Sequence, residues 1–145
     1  MPLVSVTRLH LSGWRYLPGF IVYTLRSTRQ VRRSRGFRAG FLAGDAQRGS
    51  WTVTLWDSEG DMRAFRNAGA HLAAMPRLLT WCDEASYTHW ELGADAAALP
   101  TADEAYARLR DEGKTSKVRN PSLAHRNGRT VAESAPRTAM VLHPR

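Results

Sequence analysis

Between Ser50 and Glu91 the hydrophobic period of the chain changes twice, and few folds accept that order. Ser50–Trp56 alternates, with Trp51, Val53 and Leu55 against Thr52, Thr54 and Trp56, as a half-buried strand does. Asp57-Ser58 follows, and Ser58 with Asp61 three residues on reads as an N-cap with an acid in the first turn. Met62 and Phe65 give that helix its buried stripe, and Gly69 interrupts it. Ala70–Cys82 is a second helical stretch with His71, Met75, Leu78 and Cys82 on one stripe. Pro76 inside it removes a hydrogen bond to the Leu72 carbonyl, which predicts a kink or break there. Ser86–Leu92 is again a strand. Trp51, Trp56, Trp81 and Trp90 all fall in this segment. So much indole in a small domain points to a cavity or a seam between copies.

Upstream the same logic gives the other half of the fold. Val4–Leu11 suits a strand, and Ser12-Gly13 ends it. From Trp14 on, Leu17, Phe20, Ile21, Leu25, Thr28 and Val31 fall at helical spacing, with Pro18 in the first turn and Arg29, Arg32 and Arg33 at the C-terminal end. Gly36–Asp45 alternates, placing Phe37, Ala39, Phe41 and Ala43 opposite Arg38, Gly40 and Leu42, and it forms a hairpin with Ser50–Trp56. The order β-α-β-β-α-β predicts an α+β, ferredoxin-like antiparallel sheet with both helices on one face. The other face would be bare and apolar. A second copy packed face to face is its simplest cover, so a homodimer forming a dimeric α+β barrel is expected.

Gly93–Pro100 reads as a linker and Thr101–Glu112 as a helix capped by Thr101 and Glu104. Beyond Gly113 the pattern fades, apart from an apolar patch at Thr138–Leu142. Residues 1–112 are therefore read as the ferredoxin-like domain and 113–145 as a basic, partly irregular C-terminal tail. Of the 21 Lys and Arg and 13 Asp and Glu, all but 7 basic and 1 acidic residue precede Gly113. The folded part is nearly neutral, and its aromatics are separate from the basic tail, which argues against a nucleic-acid surface. Cys82 is the single cysteine, so neither an internal disulfide nor a thiol metal cluster is expected. No apolar run is long enough to span a bilayer, and no secretory signal is read at the N-terminus. A cytoplasmic protein is expected.

The run WTVTLWDSEGDMRAFRNAGAH resembles the strand–Trp–acidic turn–helix–His pattern of antibiotic-biosynthesis-monooxygenase-like proteins of the dimeric α+β barrel superfamily. It is also similar to the spheroidene monooxygenases. The upstream SGWRYLPGFIVYTLRSTRQVRRSRGFRAGFLAGD resembles the same group, and the resemblance covers about residues 3–92. It implies a small-molecule enzyme of secondary metabolism with an apolar or aromatic substrate. The implied chemistry is cofactor-independent oxygenation or a related proton transfer, with no cofactor expected and haem as the alternative.

His71 is the leading candidate. It is a general base near neutral pH or, by resemblance to relatives that bind haem, an axial iron ligand. A helix-terminal histidine making one hydrogen bond is the structural alternative. In the haem-degrading relatives a Trp precedes this position and an Asn lies on the first strand. Here Phe65 stands nearest the Trp and Val4–Leu11 has no Asn. Arg38, among apolar neighbours on its strand face, is the second catalytic candidate, either as an anion holder or paired with Glu91 or Asp45. Trp56, Trp90, Phe65, Phe41 and Met75 are expected to bind substrate, with packing as the alternative for the tryptophans. Arg8 with His10, and His89 with Glu91, are ambiguous polar pairs. Cys82 reads as a buried hydrophobe. If Trp56, His71 and Arg38 do not converge on one cavity, a non-catalytic ligand-binding dimer becomes the favoured reading.

Overall fold

A computed structural model describes residues 1–145 apart from the side chain of Ala96. The elements are β1 (Leu3–Leu11), α1 (Leu17–Arg32), β2 (Phe37–Gly44), β3 (Ser50–Trp56), α2 (Glu59–Arg66), α3 (Gly69–Trp81), β4 (Cys82–Glu91), α4 (Ala102–Glu112), β5 (Lys114–Thr115), α5 (Leu123–Arg126) and β6 (Arg137–Leu142). They form an antiparallel six-stranded sheet in the order β5-β4-β1-β3-β2-β6. The inner four strands have the expected ferredoxin-like arrangement. The two predicted caps form: Ser58 accepts from the Asp61 amide and Thr101 from the Glu104 amide.

The two-residue period of the strands sorts side chains onto two faces. Leu3 packs with Trp56, Val31 and Met62 beneath the helices. Val4 and Val6 pack with Trp51, Val53 and Leu55 on the other side. Alternation in β2 fails at one point. Its register against β3 shifts between Phe37 and Ala39, so Phe37 pairs with Trp56 on the helix side while Phe41 pairs with Val53 on the opposite side. A β-bulge moves one residue out of phase in this way, and Phe37 and Phe41 are therefore not on one face. Helix α3 also departs from expectation, because it runs through Pro76. Leu72 and Pro76 both lie on its exposed side, where water can replace the lost hydrogen bond.

The sheet face expected to be bare is covered by the chain itself. Helix α4 presses Ala105 and Leu109, both fully buried, onto Val4, Val6, Phe41, Trp51 and Val53, and Val131 completes the layer. The cover is tied down by polar contacts. Thr130 Oγ1 donates to the Leu109 carbonyl (2.7 Å), Tyr106 Oη to the Ala132 carbonyl (2.8 Å) and Ser86 Oγ to the Thr130 carbonyl (2.6 Å). A second copy is therefore not required to keep this face from water. Residues after Gly113 supply both edge strands, and Val118, Thr130, Val131, Ala132 and Leu142 among them are buried. No helix is long and apolar enough to cross a membrane.

Candidate functional site

Helices α1, α2 and α3 arch over the sheet and leave a cavity of about 500 Å³ between helices and strands, a size typical of small-molecule sites. Ser5 and Thr7 of β1 and Thr52 and Thr54 of β3 line its floor. These are the polar partners of the alternating apolar residues that face α4, so the same period builds a core on one side and a hydroxylated floor on the other. Tyr23, Thr24, Ser27 and Thr28 of α1 line the roof, related by the three- and four-residue steps that share a helix face. Ser27 Oγ is buried close to the Tyr23 phenol, whose pKa burial raises and Ser27 helps to keep from rising further, and this hydroxyl has no well-formed hydrogen bond among the described residues. A buried hydroxyl in that state favours a ligand atom that can bond it.

His71 enters from the first turn of α3, and its position is set by Gln30. The Gln30 amide nitrogen donates to the carbonyls of Phe65 (3.0 Å) and Ala68 (2.8 Å), while its oxygen accepts from the His71 amide (2.9 Å). One side chain thus clamps the α2–α3 junction. Gly69 makes room for it: its φ is +57°, and a Cβ there would lie 3.1 Å from Gln30. The imidazole sits between Phe65 and Tyr23, with ring centroids at 5.1 and 6.2 Å. Its Nδ1 lies 3.1 Å from the Arg66 carbonyl. A carbonyl can only accept, so the proton is assigned to Nδ1 and the neutral ring keeps its lone pair on Nε2. Burial lowers the His71 pKa from its usual 6.5, the bond to the Arg66 carbonyl opposes this in part, and the Arg66 charge adds to the lowering. At neutral pH the ring is therefore uncharged.

The structure brings His71, Trp56, Phe65 and Met75 to this cavity. Phe65 links two of the others, stacking on Trp56 at 5.4 Å as well as on His71. Trp56 is fully buried and donates its indole N–H to Thr54 Oγ1 (2.9 Å), which makes it a wall rather than a donor to a ligand. Arg38, Phe41 and Trp90 lie elsewhere. Arg38 is 43% exposed and paired with Asp57, neither Glu91 nor Asp45. Phe41 packs under α4. Trp90 lies on the α4 side of the sheet beneath the Arg108 guanidinium (4.8 Å). The bulge in β2 accounts for Phe41, and pairing with Val4 across β1 fixes the face of Trp90.

Arg66 is the cation that sequence reasoning missed. It lines the cavity and makes no ion pair among the described residues. The available signal was its place five residues before His71, in the last turn of the preceding helix. Tyr23 and Ser27 were missed because an apolar stripe was sought on α1. The face that points inward is partly polar, and Ile21, Val22 and Leu25 point outward.

Of the other polar candidates, Arg8 and His10 lie outside the cavity and His89 lies on its wall. Arg8 is 2% exposed and held between Asp45 (2.8 Å) and Glu84 (2.7 Å). Asp45 also accepts from Trp51 Nε1 (2.8 Å) and the Gly49 amide (2.8 Å). Burial would raise the Asp45 pKa, but these donors outweigh it and hold the carboxyl below 3.8. His10, Asp83 and Glu84 place potential metal-ligand atoms within 4.8 Å of one another. The Arg8 guanidinium already on Glu84 disfavours a cation there. His89 lines the cavity and lies 3.7 Å from Glu59 rather than beside Glu91. Burial pushes the Cys82 thiol up to about 12, which leaves it unreactive.

The architecture has known counterparts. Rv0793 from Mycobacterium tuberculosis superposes with a TM-score of 0.58 at 12% identity, over 66% of this chain and 99% of its own. SnoaB, a cofactor-independent oxygenase from Streptomyces nogalater, gives 0.53 at 13% identity, over 67% and 98%. A Nitrosomonas europaea protein provisionally named an antibiotic biosynthesis monooxygenase gives 0.54 at 12%, over 67% and 94%. No family model matches the sequence, and no curated protein matches it. The chain thus has the α+β, ferredoxin-like fold of antibiotic-biosynthesis-monooxygenase-like proteins, and the resemblance seen in the sequence holds at the level of fold. About a third of this chain has no counterpart in those structures, roughly the length of the segment after Leu92.

Proposed function

We propose that the chain is a monooxygenase-like enzyme that oxidises a flat, phenol-like carbon acid without a cofactor. One observation supports this above the others. A neutral imidazole with a free Nε2 stands beside Arg66, which makes no ion pair among the described residues, in a cavity lined by Arg66, Lys117, His71 and His89 and by no Asp or Glu. Such a site favours an anion formed inside it. Arg38 does not join Trp56 and His71 in the cavity, the outcome that on its own favours a non-catalytic ligand-binding dimer, but Arg66 supplies the cation expected of Arg38 and supports the enzyme reading instead. Aromatic walls and a hydroxylated floor suit a ring system carrying oxygen substituents. The fold shared with SnoaB, itself a cofactor-independent oxygenase, is consistent with the reading but does not carry it.

In this mechanism His71 Nε2 takes a proton from the activated carbon, and Arg66 stabilises the enolate or phenolate that results. The carbanion adds dioxygen to give a peroxide. The peroxide takes up the proton and loses water, leaving a carbonyl where two C–H bonds stood. One oxygen atom ends in the product and the other in water. Ser27 offers its unsatisfied hydroxyl to a substrate oxygen.

The test is dioxygen uptake with anthrone as the probe, in wild type, His71→Ala and Arg66→Met. General-base catalysis contributes about 10²–10⁴-fold, so His71→Ala is expected to lose that factor while keeping its circular dichroism. Unchanged turnover in His71→Ala removes the histidine from the mechanism. The same tautomer suits an axial haem ligand. A Soret band on adding haemin, lost in His71→Ala, would favour that second reading.

A further inference from the structure

The segment that follows α4 does more than extend the sheet. Thr115 and Lys114 pair with Ser86 and Tyr87, and the chain then turns across the β4 edge of the sheet towards the end of α3. It is pinned at every step. The Ser116 amide donates to the Ala85 carbonyl (2.8 Å), the Arg119 amide to the Leu79 carbonyl (2.9 Å) and the Ser122 amide to the Asp83 carbonyl (3.0 Å). His125 Nε2 lies 2.8 Å from the Ser116 carbonyl, to which it donates. The strap therefore stitches the last turn of α3 to β4. Between its pins Val118 turns inward and is buried against Phe20, Leu78, Cys82 and Ala85. Ser116, Lys117 and Val118 all line the cavity.

The superposed proteins are matched over 94–99% of their own length by about two thirds of this chain. We propose that the strap Lys114–Val118 is the specificity element of the cavity: Val118 sets the depth available to a polycyclic aromatic ligand at the end framed by Phe20 and Leu78, and Lys117 places a cation at the rim for an anionic substituent. This rests on the reading of the cavity as a ligand site.

The physical basis is local. Val118 is hydrogen-bonded into place through its neighbours and cannot retreat without breaking the Ser116 and Arg119 bonds. A ligand ring that reaches this end meets a fixed methyl surface. One methylene more or less at such a wall changes discrimination by roughly 10–200-fold.

The experiment titrates the full-length protein with 8-anilinonaphthalene-1-sulfonate, followed by displacement with 2-naphthol, anthrone and a four-ring hydroxyarene. Val118→Ala is expected to improve the four-ring competitor relative to naphthol by roughly tenfold, and Val118→Ile to shift the order the other way. Circular dichroism and thermal melting check that each variant folds, and Val118→Ile is the conservative variant should alanine loosen the strap. Lys117→Met is expected to weaken the sulfonate probe while leaving neutral competitors in place. If the probe binds wild type and the competitor order is the same in both Val118 variants, the strap does not set specificity. If the probe does not bind wild type at all, the cavity is not a ligand site and the functional reading falls with it. Both outcomes are read from binding alone, without dioxygen uptake.

Discussion

Gln30 lies outside the cavity, yet its substitution should damage the site. Its side chain makes three hydrogen bonds to the backbone around the α2–α3 junction, one of them to the His71 amide. A neutral intramolecular hydrogen bond contributes about 0.5–1.5 kcal/mol net. The bond to Ala68 is exposed and the other two are partly buried, so water recovers some of the loss. Gln30→Ala is expected to destabilise the fold by about 2–3 kcal/mol in urea unfolding. It should also move the His71 amide resonance in a ¹⁵N–¹H spectrum and lower kcat more than it raises KM, because the base loses its position and the walls do not. Gln30→Glu keeps an acceptor for the His71 amide but turns a carboxylate oxygen towards two carbonyls, so it should cost at least as much. A destabilisation under about 0.5 kcal/mol in Gln30→Ala, with the His71 amide unmoved, would refute the clamp.

Further outcomes follow from the packing and charge already described. Leu109→Ala removes the central side chain of the cis cover; the expected cost is about 2–5 kcal/mol, read by urea unfolding. The intact chain should run as a monomer in light scattering at micromolar concentration, because α4 already covers the face a second copy would use. Asp45→Asn leaves the buried Arg8 with Glu84 alone and should cost about 3–5 kcal/mol. For wild-type Asp45 the folded pKa lies below 3.8, so its contribution is complete above that value and is lost as the pH falls through the folded pKa. His71 acts at higher pH. Its folded pKa is below 6.5, so the unfolded chain binds more protons just below that pH. Stability should decline as the pH falls from 6.5 to the folded pKa, and His71→Gln should flatten that part of the curve.

Most of the sheet was legible because period two is a strong signal where one face is apolar. Ser50–Trp56 is a strand with the bounds read from its alternation, and Ser58 and Thr101 cap the helices they precede. Three things were not legible. A single bulge in β2 reversed the face of Phe37 relative to Phe41, and nothing in FRAGFLAG marks it. Residues 113–145 have too few apolar residues in a row to announce burial, yet Val118, Val131 and Leu142 are each buried singly against a surface made elsewhere. The site itself was half visible. His71, Trp56, Phe65 and Met75 share a cavity because helical spacing and strand alternation place them there, whereas Arg38 and Trp90 were assigned without knowing which face of the sheet would hold the cavity. Arg66 and Gln30 are long polar side chains on helices, and their roles come from what tertiary structure places beside them.

The protonation state of His71 is the most direct test of the proposed chemistry. Titration of the full chain by ¹⁵N NMR of the imidazole nitrogens reports both tautomer and pKa. The expected result is a proton on Nδ1 at pH 7, a free Nε2 and a midpoint below 6.5. A proton on Nε2, or a midpoint at or above 6.5, would contradict it and leave the cavity without its base.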